Sequence, residues 1–166
     1  MKLKHIFAAG LVVAAPAVAL AGPAINGAGA SFPAPIYQRW FADYARTTGN
    51  RVNYQSVGSG AGVRQFIAGT VNFGASDESI SAADAAKVKR GVVQIPMVGG
   101  TIAVAYNKKG CNLKLTQKQT VDIFAGRIKD WNQVPNCGNG PIRVVYRSDG
   151  SGTTFAFTNS LDAFGG

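Results

Sequence analysis

Apolar positions along this chain fall into short runs with two different periods, separated by glycine and proline. Residues 35–48 place Ile36, Trp40, Phe41 and Tyr44 on one helical face, with prolines at the entry and Gly49 at the exit, which predicts a helix. Residues 51–57 alternate as a strand does. A glycine-rich turn at 58–62 opens a short helix that directs Val63, Phe66 and Ile67 inward and ends near Gly69, and residues 72–76 read as another short strand. Ser81 is placed to cap a helix with Asp84 in its first turn, running to Arg90 and stopping at Gly91. Two apolar runs follow, 92–97 and 101–107, the second dense in β-branched and small residues as a buried strand would be. Thr116-Gln117-Lys118-Gln119 has the capping-box pattern and opens a helix through Phe124 that closes at Gly126. Residues 130–141 are polar and read as loop, residues 142–147 as a strand, and the turn at 148–152 leads into a last helix carrying Phe155, Phe157 and Leu161. This alternation of strand and helix argues for an α/β class with largely parallel strands.

The first two dozen residues do not belong to that pattern. Lys2 and Lys4 precede an uncharged apolar run over residues 6–20 that closes on Ala19-Leu20-Ala21. The run is shorter than the roughly twenty residues a membrane span needs, and small residues stand where a signal peptidase wants them, so residues 1–21 are expected to be a signal peptide cleaved after Ala21. The expected location is periplasmic or extracellular. The leader carries two of the seventeen basic residues and none of the eight acids, which leaves a formal charge of +7. A basic surface suggests an anionic partner. Nucleic acid is not expected: Lys87-Val88-Lys89-Arg90 and Lys108-Lys109 are short, separate and free of interleaved aromatics, and read as helix-end and turn charges. Export also bears on Cys111 and Cys137, the only two cysteines, which are expected to form one disulfide closing a loop of about 25 residues.

Catalytic equipment is missing from the expected mature chain. Its one histidine, His5, leaves with the leader, so neither a Ser-His-Asp nor a Cys-His nucleophile system can be assembled. Val57 and Asp149 stand where a nucleophile elbow around Ser59 or Ser151 would need glycine. Two cysteines and scattered carboxylates make a poor zinc site, and neither a complete dinucleotide fingerprint nor a P-loop is present, so no metal and no cofactor are expected. What remains is a set of small hydroxyl-bearing turns, each where a helix begins: Gly29-Ala30-Ser31-Phe32-Pro33, Gly58-Ser59-Gly60 and Ser151-Gly152-Thr153-Thr154. Helix N-termini offer unpaired N–H groups and partial positive charge, so three such turns converging on a point would cage an anion. Each turn taken singly is equally an ordinary helix cap.

Four segments carry a resemblance. Ala28-Gly29-Ala30-Ser31-Phe32-Pro33-Ala34-Pro35, Val52-Asn53-Tyr54-Gln55 through Gly58-Ser59-Gly60, Phe73-Gly74-Ala75-Ser76-Asp77, and Arg147-Ser148-Asp149-Gly150-Ser151-Gly152-Thr153 resemble, in order, the phosphate-binding proteins of phosphate-specific ABC importers. Ile25-Asn26-Gly27 also echoes the related phosphate scavengers. The resemblance implies a two-lobed, venus-flytrap fold of the periplasmic-binding-protein type, with residues 22–97 in the first lobe, 98–166 in a partial second lobe, and a crossover near residues 95–100. It implies inorganic phosphate as ligand and the membrane permease of an ABC importer as partner, with the binding protein itself a monomer. By the same resemblance Ser31, Phe32 and Ser59 supply hydroxyl and backbone donors. Asp77 accepts a hydrogen bond from a protonated phosphate oxygen, and Arg147 donates while held by Asp149. Ser151, Gly152 and Thr153 complete the cage.

The chain stops at Gly166, about half the family's usual length, so the fold is expected to be truncated, lacking strands of the second lobe and the segment that returns to the first. Two other classes stay open: a non-transporting fragment or decoy binder, and an extracytoplasmic phosphatase of the scavenger branch.

Overall fold

Three parallel strands organise the first half of the chain. The computed structural model describes residues 24–165, so the expected leader and its cleavage after Ala21 lie outside the described residues. β1 (Ile25–Gly29) is central, flanked by β2 (Val52–Ser56) and β3 (Phe73–Ala75), in the order β2-β1-β3. Its sequence, INGAG, is a poor strand by intrinsic propensity, and periodicity did not predict it. It is a strand because both neighbours pair with it: Ile25 through Gly29 stand opposite Val52 through Ser56, and Gly27 through Gly29 opposite Phe73 through Ala75. Small residues are what the position requires. Tyr54 and Phe73 both register with Gly27, and their rings stack over it with centroids 6.0 Å apart. A Cβ at Gly27 would lie 2.1 Å from the Phe73 ring.

The two helices that follow cover opposite faces of the sheet. α1 (Ala34–Thr48) lies on the aromatic face, where Tyr37 meets Tyr54 edge-on at 5.2 Å and Phe41 meets Phe73 at 6.0 Å. Gly49, at φ 75°, ends it. The inward positions are therefore Tyr37 and Phe41; the expected Ile36, Trp40 and Tyr44 remain 38–40% exposed, because the 3.6-residue period admits either stripe and the sheet's rings select one. α2 (Ser59–Ala68) lies on the other face, where a Cβ at Gly62 would stand 2.4 Å from the Gly29 Cα. Close approach of helix to strand needs glycine here.

Beyond Asp77 the regularity fades. α3 (Ala82–Ala85) is a single turn capped by Ser81, whose hydroxyl accepts from the Asp84 amide at 3.0 Å. It does not run to Arg90 as expected: residues 86–90 continue as turns, with Val88 buried and Arg90 lying 4.5 Å over the Phe66 ring. The runs 101–107 and 142–147 belong to no ladder among the described residues, contrary to expectation, and neither does the apolar run 92–97. A strand takes its backbone hydrogen bonds from a neighbour, and these segments pair in no ladder; Ile142 donates only to the Lys129 carbonyl at 2.8 Å, and Val93 is 85% and Val145 82% exposed.

A second core lies further along. α4 (Gln117–Phe124) opens with the expected capping box of Thr116 and Gln119. Ile123, Val134 and Cys137 form a buried cluster against Leu113, Leu115 and Trp131. Cys111 and Cys137 are joined in a disulfide as expected. The loop at 130–141 contains a 3-10 turn, Trp131–Gln133, capped by Asp130. α5 (Gly152–Gly165) packs Phe157 edge-on to Phe124 at 4.7 Å.

Candidate functional site

The strand order reverses at β1: the chain leaves it through α1 to β2 on one side and returns through α2 to β3 on the other. In open parallel sheets ligands sit beyond the carboxyl ends of the strands at such a reversal. Ser31 and Phe32 follow β1, Gly58 and Ser59 follow β2, and Ser76 and Asp77 follow β3, so all these turns lie at that one end.

The turn after β1 is fixed by its backbone. The Ala30 amide donates to the Ala75 carbonyl at 2.9 Å, and Tyr54 Oη donates to the Ala30 carbonyl at 2.6 Å. Burial pushes the Tyr54 phenol well above its ordinary pKa, as suits a hydroxyl held as a donor. α1 has no side-chain cap, so Ser31 is not spent in capping. The amides of Ser31 and Phe32 meet no acceptor among the described residues. Ser31 is exposed, and the Phe32 ring reaches across to Gly100, where a Cβ would be 2.6 Å away.

The turn after β2 meets both Asp77 and the segment that precedes α5. Gly58 holds φ 87°, a conformation open to glycine, and α2 has no side-chain cap. Ser59 is 1% exposed and its hydroxyl accepts from the Asp77 amide at 3.3 Å. Asp77 in turn accepts from Thr153 Oγ1 at 3.0 Å. Gly152 fills the angle between them: a Cβ there would stand 2.7 Å from Asp77 Cβ and 2.8 Å from Ser59 Oγ. Gly60 donates its amide to the Gly150 carbonyl at 3.0 Å.

Arg147 and Asp149 form a two-point ion pair, with Nε donating to Oδ1 at 2.6 Å and Nη2 to Oδ2. The hydrogen bond from Arg147 holds the Asp149 carboxyl below its ordinary range, and that from Arg147 to Asp149 raises the guanidinium further. The pair lies against Gly58, where a Cβ would be 3.0 Å from Arg147 Nη2. Ser151 is the one hydroxyl of the three turns that caps a helix, accepting from the Thr154 amide at 3.2 Å.

Ser59, Asp77, Arg147, Asp149, Gly152 and Thr153 are thus brought together. Ser151 is spent on the α5 cap, and Ser31 makes no hydrogen bond to the others among the described residues. Phe32, Asp77 and Thr153 also line a cavity of about 1050 Å³ bounded by residues 92–103. Tyr54, Gly60 and Gly150 are positions the motifs contained but sequence reasoning gave no role. The alternation of β2 marked Tyr54 as facing one side, whereas its bond to the Ala30 carbonyl depends on strand pairing. Among the described residues no three or more His, Cys, Asp and Glu side chains gather as a metal site, and no helix is long and apolar enough to cross a membrane.

Comparison with known proteins accords with this geometry. The chain is 47% identical over 148 residues to the phosphate-binding protein PstS of Pasteurella multocida, covering 82% of this chain and 42% of that one. The PstS of Haemophilus influenzae is likewise 47% identical, with 44% of its length covered. Alkaline phosphatase L of Pseudomonas aeruginosa is 34% identical, with 98% of this chain and 46% of that one covered. The chain therefore spans less than half the length of these curated relatives. Among solved structures, a Clostridium perfringens chain with bound phosphate superposes with a TM-score of 0.66 at 22% identity, covering 84% of this chain and 56% of that one. An ABC-type phosphate transport receptor from Vibrio cholerae gives 0.56 at 20% identity, covering 83% and 55%. With parallel strands, a reversal point and turns clustered beyond it, and with residues 14–165 matching the model of the PBP superfamily domain, this chain belongs to that superfamily.

Proposed function

We propose that this chain binds inorganic phosphate among the turns at 31–32, 58–59 and 147–153 and, once exported, passes it to the membrane permease of an ABC importer. Residues 22–97 then form one lobe and 98–166 part of a second. The observation that carries the reading is Asp77, whose backbone amide donates to the Ser59 hydroxyl while its carboxylate accepts from Thr153. The names of the 47%-identical relatives support phosphate as the anion.

The chemistry follows from proton count. Near neutral pH phosphate keeps at least one proton and sulfate keeps none. Thr153 occupies one Asp77 oxygen, which leaves the other to accept from the protonated phosphate oxygen. Sulfate would meet that oxygen with lone pairs and like charge, and a site that hydrogen-bonds a ligand's donor rejects the analogue lacking it by roughly 10⁴. Arg147, steered by Asp149, donates to the anion. Amides at the N-termini of α2 and α5 and the turn at Ser31 and Phe32 add further donors. These accept either anion, so selectivity rests on Asp77.

Titration calorimetry with phosphate and sulfate tests the reading. The chain is expected to prefer phosphate, Asp77→Asn to collapse the preference, and Arg147→Ala to weaken both anions together. An unchanged ratio in Asp77→Asn overturns the role of Asp77, and absence of phosphate binding overturns the reading. The relationship to alkaline phosphatase L supports a second reading, hydrolysis of phosphate esters, which turnover of a chromogenic ester would reveal.

A further inference from the structure

Two glycines that touch across the site carry an inference of their own. Gly60 is the second residue of α2, so its amide has no acceptor within the helix, yet it donates to the Gly150 carbonyl at 3.0 Å. The backbones meet there with nothing between them. A Cβ at Gly60 would stand 3.1 Å from the Gly150 Cα, and a Cβ at Gly150 would stand 3.1 Å from the Gly60 Cα. Neither residue has a positive φ, whereas neighbouring Gly58 does, at 87°. Gly60 is helical, and neither glycine holds the positive φ that would disfavour alanine. What glycine supplies is the missing side chain, which lets segment 147–152 settle directly on the start of α2.

We propose that Gly60 and Gly150 form a backbone clasp that holds segment 147–152 against α2 and thereby sets how slowly the bound anion leaves. The consequence is positional. Gly60 commits its amide to the loop rather than to the ligand, and the contact keeps Arg147 beside Gly58 and Gly152 between Ser59 and Asp77. A methyl at either glycine pushes the two backbones apart by a few tenths of an ångström and lengthens the one hydrogen bond that joins them. Loss of such a restraint acts mainly on dissociation, because association depends on encounter with an open site. The identity of the anion rests on the phosphate reading above; the clasp itself does not.

The test compares the chain with Gly60→Ala, Gly150→Ala and, as control, Gln38→Ala, an exposed position of α1. Amide hydrogen exchange at position 60, followed by NMR, reads the clasp without any ligand, and rapid-mixing kinetics with inorganic phosphate read its effect. Gly150→Ala is expected to speed exchange at Gly60 and phosphate dissociation each by about tenfold, with association changed less than about twofold. Gly60→Ala is expected to speed dissociation likewise while holding or raising the melting temperature, since alanine is the better helix former; a merely structural role would lower it. Gln38→Ala leaves all readouts unchanged. Unaltered exchange at Gly60 in Gly150→Ala overturns the clasp, and faster exchange with unaltered dissociation overturns its role in retention. If the parent chain fails to bind phosphate, the phosphate reading falls and exchange at Gly60 alone decides the clasp. Should Gly150→Ala not fold, Gly60→Ala reads the same contact from the side on which the substitution favours the helix.

Discussion

β1 and the run at 92–107 invert what propensity would predict. β1 reads Ile-Asn-Gly-Ala-Gly and is the central strand, paired on both sides. The later run contains Val92, Val93, Ile95, Val98, Thr101, Ile102 and Val104, strand formers by any scale, and joins no ladder among the described residues. Neighbours account for the difference. β1 lies where Tyr54 and Phe73 need a small residue beneath their stacked rings and where Gly62 of α2 closes on the Gly29 backbone, so its weak side chains are its qualification. The run at 92–107 has the side chains and pairs with no strand among the described residues. The region around Cys111 and Cys137 is a third case, held by a cross-link and an apolar cluster in place of a ladder.

Reduction should separate these regions with the largest effect. The chain-entropy model assigns the Cys111–Cys137 bridge about 3 kcal/mol. The two tryptophans sit one in each region, Trp40 in α1 and Trp131 beside Cys137, so single-tryptophan variants report each in turn. On reduction the denaturant midpoint read by Trp131 should fall while that read by Trp40 holds. If both move together, the chain unfolds as one unit and the contrast between regions fails.

A smaller effect is expected within the sheet. Tyr54→Phe removes the donor to the Ala30 carbonyl and should cost about 1–2 kcal/mol, that of a partly buried acceptor left unpaired. It should also change the alkaline limb. The folded pKa of Tyr54 is raised, chiefly by burial and then by Tyr37 and Asp77, so the stability it contributes is complete below the unfolded value of about 10 and declines as pH rises above it. Denaturant titrations from pH 8 to 11 should show that decline in the parent and a shallower one in the variant, where buried Tyr37, also raised, still contributes. Identical slopes would remove Tyr54 from the account of the β1 turn.

The smallest effect sharpens the comparison by its absence. Val93 is 85% exposed, so Val93→Lys should change stability by no more than about 0.5 kcal/mol. A loss above about 1 kcal/mol in thermal unfolding would mean that the run at 92–97 is packed.

Much of the site was legible because it rests on local chemistry. Glycine and hydroxyl residues before helices marked three turns, the Thr116 capping box and the Ser81 cap are formed as written, and the spacing of Arg147 and Asp149 suits an ion pair two residues apart. Such features need only a few neighbouring residues, and a sequence states those directly. Three things were not legible. INGAG became a strand only by pairing on both edges, α1 turned Tyr37 rather than Ile36 inward because stacked rings awaited it, and the valine-rich runs join no ladder among the described residues. Likewise, only folding could decide that Ser59 would accept from Asp77, that Thr153 would reach the same carboxylate, and that Gly60 would meet Gly150. The sequence by itself determined the turns, caps, cysteines and charges, each through interactions spanning a few residues. The tertiary structure alone decided which strand is central and which turns share a site, because those depend on hydrogen bonds and close contacts between segments whose separation in sequence says nothing of their distance in space.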